Sequence, residues 1–337
     1  MSTPNGEQAR ATPDVSVVVI GRNEGNRLEL ALRSALDASP RVVYVDSAST
    51  DESAALARSL GVSVVELSSD APMSAARGRN AGFSWLQCQG PSAYVQFLDG
   101  DCILEPGWVR AGARRLGADP TIGVLAGRLR ERRRERNVYH RLADMEWNEP
   151  AGDVESTGGI MMVRSVAWER AGGMNPEIKA GEELDFCLRV REAGWRVVRG
   201  PEPMASHEID IAGFEEWWRR AERGGISYAE GWWRRRRVRD ARPVLSALFW
   251  GGALPVASLA LAVPTFGLSL TLLAGYPQMW WRVRRHRLER GDNEHDARLY
   301  ALFCVLAKGA EFSGIWKFAR RLAGSGSSKP CYTGPNR

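Results

Sequence analysis

Asp99 and Asp101 stand one residue apart at the abrupt end of a strand-like run, Val95 to Leu98. In an extended or turning chain that spacing can aim both carboxylates into one pocket, where their charges repel unless a divalent cation lies between them. Asp-Gly-Asp is also ordinary turn chemistry, so the pair alone decides nothing. Other groups with chemical capacity follow apolar runs in the same way: Asn23 and Glu24 after Val15 to Ile20, and Asp46 and Asp51 after Val42 to Val45. Arg77 and Asn80 sit three apart in a small-residue stretch of helical character, on one face, with Arg79 pointing elsewhere. Glu182, Glu183 and Asp185 open an amphipathic stretch just after Gly181, where a helix macrodipole favours acids. Of the four histidines only His207 lies in an interpretable place, after the short strand at Val197 and Val198.

The elements that must position these groups are legible as alternation. Val15 to Ile20 reads as a buried strand, Gly21 to Gly25 as a polar loop, and Leu28, Leu30, Leu32 and Leu36 as the apolar side of a helix. Val42 to Val45 begins a second unit, with an Ala-rich helix to about Leu60, a Gly61 helix C-cap and a third strand at Val62 to Leu67. Strands alternating with helices require right-handed crossovers and a mostly parallel α/β sheet sandwiched by helices. Such sheets bind ligands at the carboxyl ends of their strands. Asn23, Glu24, Asp46, Asp51, Asp99 and Asp101 should therefore converge on one rim.

With these residues the chain resembles glycosyltransferase family 2, of the GT-A fold. The matching segments are Val15 to Glu24, Val43 to Asp51, Ala76 to Gly82, Phe97 to Asp101, and Gly181 to Arg189 with Gly194 beyond, in the family's order across roughly residues 14 to 210. The resemblance implies a nucleotide-sugar donor, Mg²⁺ or Mn²⁺, and inversion at the anomeric carbon. A departing diphosphate develops negative charge that needs a metal or cationic clamp. Asp101 is then the direct metal ligand, and Asp99 holds the nucleotide ribose or a water on the cation. The family's nucleobase-contacting acid corresponds to Asp46, and a carboxylate there can accept the imide N–H of uracil. A helix N-cap is the alternative for Asp46. Arg77 and Asn80 can reach the nucleotide and the acceptor rim together, or form a solvated basic face. An inverting transfer needs a carboxylate to take the acceptor proton. The family places an acidic pair, usually Glu-Asp with the second residue as base. Here the pair is Glu182-Glu183, which makes Glu183 the base and leaves Glu182 and Asp185 as alternatives. His207 resembles the late histidine that completes the metal site in several GT-A enzymes.

The expected layout is a tail at 1–13, a catalytic domain at 14–230, a helical membrane-associated region at 231–325 and a tail at 326–337. The 337 residues suffice for such an enzyme plus appendage. Val244 to Trp281 contains no Asp, Glu, Lys, Arg or His and is broken by Pro255, Pro264, Gly267 and Pro277. One helix of that length would measure about 57 Å, nearly twice a bilayer core of about 30 Å, so two spans turning near Pro264 to Gly267 fit better. A buried helical pair in a soluble domain is the alternative. Arginines from Arg234 to Arg242 and from Arg282 to Arg287 flank the hairpin, which puts both ends and the catalytic domain on the cytoplasmic face of a cell membrane and against anionic lipid. Ala297 to Leu322 reads as one interfacial amphipathic helix or two short ones.

Net charge +6 resides almost wholly in arginine and gives no case for nucleic acid as a partner; the expected acceptor is lipid-linked or saccharide. Five scattered cysteines fit a reducing compartment without disulfides, and residues 1 to 13 lack the apolar stretch of a secretory signal. No Gln-x-x-Arg-Trp motif of processive polysaccharide synthases occurs, which favours single transfers. Alternative classes are a metal-dependent nucleotidyltransferase, whose Gly-rich phosphate loop is missing after the first strand, and a non-catalytic membrane-surface scaffold of the same fold. A dinucleotide-binding dehydrogenase is disfavoured because no Gly-x-Gly-x-x-Gly follows that strand.

Overall fold

The computed structural model describes residues 14–70, 72–178 and 181–324. The expected tails lie outside the described residues. The chain divides into two compact units, one of residues up to Arg132 with Trp147–Ile209, the other of Arg133–Glu146 with the residues from Asp210 onward.

In the first unit β1 (Val15–Gly21), β2 (Val42–Asp46), β3 (Ser63–Glu66) and β4 (Tyr94–Asp99) alternate with α1 (Asn26–Ala38), α2 (Ser53–Ser59) and α3 (Ala75–Gln89). They continue into β5 (Cys102–Leu104), α4 (Trp108–Ala118) and β6 (Ile122–Glu131). After α5 (Val138–Trp147), most of which belongs to the second unit, come β7 (Gly152–Asp153), β8 (Met161–Arg164), α6 (Ser165–Ala171), α7 (Glu182–Glu192) and β9 (Arg196–His207). Among the described residues these strands form one nine-stranded sheet ordered β3-β2-β1-β4-β8-β6-β9-β5, with β7 beside β9. It is mixed: β3, β2, β1 and β4 run parallel, as does β6 with β9, while β8, β5 and β7 pair antiparallel. The parallel half is what the strand-helix alternation encodes.

Two apolar cores lie on opposite faces. Val17, Val19, Leu28, Leu32 and Leu98 pack on one, and Val18, Val43, Phe97, Trp168 and Phe186 on the other. Successive residues of β1 thus point into different cores, which is why its run is apolar throughout rather than alternating. Gly78 and Gly82 seat α3 on β1, since a Cβ at Gly82 would collide with Val18.

The second unit is helical: α8 (Phe214–Arg235), α9 (Val238–Leu248), a π-helical turn (Phe249–Ala253), α10 (Leu254–Ala260), a 3₁₀ segment (Leu268–Ala274), α11 (Gly275–Glu289) and α12 (Glu294–Gly324). Glycines allow its helix backbones to touch: a Cβ at Gly225 of α8 would strike the Glu311 carbonyl of α12, and one at Gly314 would strike the Glu222 carbonyl. Gly251 makes the same close approach to Lys308. The apolar hairpin turns where the sequence predicts, at Phe266 and Gly267, both with positive φ. Ser269 Oγ donates to the Ser258 carbonyl at 2.7 Å across its arms.

The lengths of the apolar helices differ from expectation. Arg239–Ala260 and Glu294–Gly324 are long and apolar enough to cross a membrane by length and composition. The second arm of the hairpin breaks into the 3₁₀ segment and a helix that turns charged at Arg282, so it is the shorter piece. Residues 294–324 form one continuous helix, in which Lys308 pairs with Glu311 and Lys317 with Glu222 of α8, each at 2.7 Å. The Lys317–Glu222 pairing is invisible in a linear reading, which shows only an amphipathic stretch.

Candidate active site

The rim expected at the carboxyl ends of the strands is present. β4 ends on Asp99, and the Gly100 N–H donates to the Ile20 carbonyl at the end of β1, 2.8 Å away. Glycine is required there by space, because a Cβ would press on Glu24 Cγ at 2.9 Å and the Ile20 carbonyl at 3.2 Å. The Asp-Gly-Asp turn is thereby wedged against Glu24.

The loops after β1 and β2 clasp one another. Thr50 N–H donates to Asn23 Oδ1 at 2.7 Å, Asn23 N–H to Ser49 Oγ at 3.0 Å, and Gly25 N–H to Asp51 Oδ2 at 3.3 Å. Asn23 and Asp51 thus do visible work in fixing loop shape. Asp46 is buried, accepting from the Tyr44 hydroxyl at 3.0 Å and from Ser49 N–H at 2.8 Å.

Asp101 and His207 meet, His207 Nε2 lying 3.0 Å from Asp101 Oδ2. Cys102 stands opposite His207 in the β5–β9 ladder, and its thiol donates to Asp101 Oδ1 at 3.3 Å. The Trp147 ring packs edge-on against His207, with centroids 4.5 Å apart. Burial raises the Asp101 carboxyl, but the His207 hydrogen bond and charge and the Cys102 thiol outweigh it and hold the pKa below the usual value. For His207 burial pulls the other way and Asp101 prevails, so its pKa is raised. Burial, then the charge of Asp101, raises Glu24 despite its ion pair with Arg27 at 3.1 Å. Ligand atoms of Asp101, Cys102 and His207 lie within 4.8 Å of one another, and His207 Nδ1 is buried without a hydrogen bond. A carboxylate and an imidazole beside further acids suit Mg²⁺ or Mn²⁺, and burial keeps the Cys102 thiol protonated by pushing its pKa well up.

On α3 the predicted pair is engaged locally. Asn80 grips Met174, donating to its carbonyl at 2.7 Å and accepting from its N–H at 2.9 Å, and Arg77 Nη1 donates to the Ser68 carbonyl at 2.8 Å. Arg79, set aside by the face argument, is the buried one. Its Nη2 donates to Asp99 Oδ1 at 2.7 Å and its Nη1 to Glu182 Oε1 at 3.4 Å. Gly78 and Gly82 seat this helix against β1, a closeness that helical spacing alone does not reveal.

α7 starts from Gly181, whose φ of +84° favours glycine. Asp185 is tied to Arg189 at 2.9 Å, whereas burial and then the charge of Glu183 push the Glu182 carboxyl up to about 7 against the pull of Arg79. The structure therefore brings Asp99, Asp101, Glu24 and His207 together at the rim and links Asp99 to Glu182 through Arg79, while Arg77, Asn80 and Asp185 make the local contacts just described.

Comparison with known proteins bears on the family and the fold. The family model "Glycosyl transferase family 2" matches residues 16–166, and "Glycosyl transferase family group 2" matches residues 94–284, more than half of the chain. The Pre-mycofactocin glycosyltransferase of Mycobacterium tuberculosis, in two strains, is 27% identical over 126 residues, 34% of this chain. The chain spans 27% of the length of these curated relatives. Among solved structures, the mannosyltransferase PcManGT from Pyrobaculum calidifontis, in complex with GDP-Man and Mn²⁺, has a TM-score of 0.57 and 19% identity, covering 90% of this chain and 88% of its own. TarS 1–349 of S. aureus in complex with UDP has a TM-score of 0.49 and 15% identity, covering 92% of both chains. The chain belongs to glycosyl transferase family group 2 and has the GT-A fold.

Proposed function

We propose that this glycosyltransferase moves a sugar from a nucleotide-sugar donor, a UDP-sugar by preference, to a hydroxyl of a lipid-linked or saccharide acceptor in cell-surface glycan synthesis, inverting the anomeric carbon and adding one sugar per encounter. The observation that carries the reading is the gathering of Glu24, Asp99, Asp101 and His207 on one rim, with Glu182, next to Glu183, linked to Asp99 through a single buried arginine. Asp46 offers a buried carboxylate for a nucleobase imide, and both its present donors leave lone pairs free. Asn23, Glu24 and Asp51 shape the loops around the nucleotide, Asp99 takes the ribose, and Arg77 and Asn80 border the donor and acceptor pocket.

In the transfer the acceptor oxygen bonds to the anomeric carbon as the bond from that carbon to the diphosphate breaks. Glu183 takes the hydroxyl proton and the nucleoside diphosphate leaves with the electron pair. Asp185 is committed to Arg189, which supports Glu183 as the base. A divalent cation, Mg²⁺ or Mn²⁺, held by Asp101 and His207 would neutralise the leaving diphosphate.

The apolar hairpin and its arginine flanks support attachment to the cytoplasmic face of a cell membrane. Val263, Phe266 and Leu268 at its turn are strongly exposed, Phe266 fully, a state that water penalises and lipid does not. The layout then has a catalytic domain at 14–230 and a membrane-associated region at 231–325.

Thermal-shift screening of the full chain against nucleotides and nucleotide sugars, with and without Mn²⁺, tests the donor. Stabilisation by a uridine diphosphate sugar only with Mn²⁺ is expected, and stabilisation by guanosine donors alone would reverse the preference. Full-length protein that stays in the supernatant without detergent would remove the membrane part.

A further inference from the structure

We propose that Arg79 is a positioning residue of the transfer: its guanidinium ties the donor-side carboxylate Asp99 to Glu182 and thereby sets where Glu183 meets the acceptor. The inference rests on the reading of Glu183 as base.

Arg79 is 3% exposed, and its two terminal nitrogens go to carboxylates 83 positions apart in sequence, Asp99 at the end of β4 and Glu182 at the start of α7. The planar fork of arginine can serve two acceptors at fixed spacing, which a lysine ammonium on a flexible stem cannot do with the same geometry. Gly159 leaves the space for this fork, because a Cβ there would collide with the guanidinium. Three acids, Asp99, Glu182 and Glu183, act on this one cation and keep it protonated despite burial. Glu182 in turn faces Glu183 on its own helix and Arg79 from α3, and it opposes ionisation through burial and Glu183 while Arg79 favours it. A buried guanidinium used only to hold the fold could be replaced by apolar packing at little cost. One placed between the donor rim and the acidic pair also fixes distances, and misplacement of about 1 Å can cost on the order of 10²-fold in rate.

The test compares Arg79→Lys, Arg79→Met and Gly159→Ala in the full chain. Rates are followed as nucleoside diphosphate release from UDP-glucose and GDP-mannose with Mn²⁺ across pH, and carboxyl titration is followed by NMR with ¹³C-labelled glutamate, Glu182 being assigned from Glu182→Gln. Arg79→Met should lower kcat on the order of 10²-fold and move both the Glu182 titration and the acid limb of the rate profile to higher pH. Arg79→Lys should restore the titration but not the rate. Gly159→Ala should lower the rate by about 10-fold while the arginine stays in place, and it carries the test if the Arg79 variants do not fold. Folded variants with wild-type kcat and an unmoved Glu182 titration would overturn the proposal. If the titration moves yet Glu183→Gln transfers at the wild-type rate, the link through Arg79 stands and the reading of Glu183 as base fails; the NMR measurement decides the link even if neither donor is hydrolysed.

Discussion

The rim of the sheet and the interior of the helical unit both gather acids and arginines, but they balance them differently. In the helical unit Asp296 is buried between Arg134 and Arg141, with Asn293 Nδ2 at 2.9 Å, and Arg134 also reaches Asp144 at 3.0 Å. Arg220 meets Glu146 at 2.8 Å, and buried Arg287 pairs with Asp292. At the rim, Glu24, Asp99, Asp101, Glu182 and Glu183 share Arg27, Arg79 and a histidine. Where every acid has its cation the cluster is explained by folding. Where acids exceed cations and burial raises the carboxyls of Glu24 and Glu182, the fold holds those two acids against ionisation, and a ligand's charge is the natural counterpart.

The largest effect should come from removing the rim acid nearest His207. Asp101→Ala takes away a ligand rather than core volume, so Mn²⁺-dependent UDP binding should fall by more than about 10²-fold with the fold intact. Calorimetric titration measures it. Wild-type Mn²⁺-dependent affinity in that variant would take Asp101 out of the metal site and weaken the contrast between the clusters.

Next in size is a paired acid of the helical unit. Asp296→Asn removes the buried carboxylate between Arg134 and Arg141, though part-exposed Arg134 keeps Asp144, and losing hydrogen bonds to a charged group should cost about 1.5 to 3 kcal/mol. Unfolding of the detergent-solubilised protein reads it. A loss under about 1 kcal/mol would put this cluster with ordinary surface pairs.

The acidic pair should behave differently from both. Glu183→Gln keeps shape and loses basicity, so UDP affinity should hold while transfer drops by about 10²-fold. Glu182→Gln and Asp185→Asn should cost less. If Asp185→Asn is dead and Glu183→Gln is active, the base is Asp185 despite its arginine.

Legibility in the sequence follows the same division. The parallel half of the sheet and the rim were readable because β1 and β2 are apolar runs ending in polar loops, a pattern that local sequence carries. β9 was readable only at Val197 and Val198, although it runs from Arg196 to His207 through Pro201 and Pro203. It tolerates those prolines where its register against β6 shifts. The role of Arg79 was missed because helical spacing ranks faces and cannot show how deep a glycine-seated helix sinks. Of the two expectations for Ala297 to Leu322, one helix or two short ones, the single helix is found, and the pairing of its Lys317 with Glu222 of α8, some ninety residues earlier, is not visible in local sequence.

The smallest predicted effect is the most direct measure of the imbalance. Glu182 has its folded pKa raised from 4.5 to about 7, first by burial and then by Glu183. A raised acid pKa means that the folded state prefers the proton, so this contribution to stability is complete below about pH 4.5 and disappears as pH climbs through 7. Its size is bounded by roughly 3 kcal/mol at about 1.4 kcal/mol per pH unit, less what is shared with Glu183. Glu182→Gln cannot titrate. Measured in EDTA, its Tm relative to wild type should become more positive by a few degrees between pH 5 and 8. Glu222 supplies the opposite case: burial would raise its carboxyl, but hydrogen bonds from Lys317 and Ser313 hold its pKa below the usual value. Its stabilisation persists at all pH values above that range and is lost only on acidification, so the Tm offset of Glu222→Gln should stay flat from pH 5 to 8. A flat offset for Glu182→Gln as well would mean that the rim ionises without strain, and that the two clusters differ in composition but not in energy.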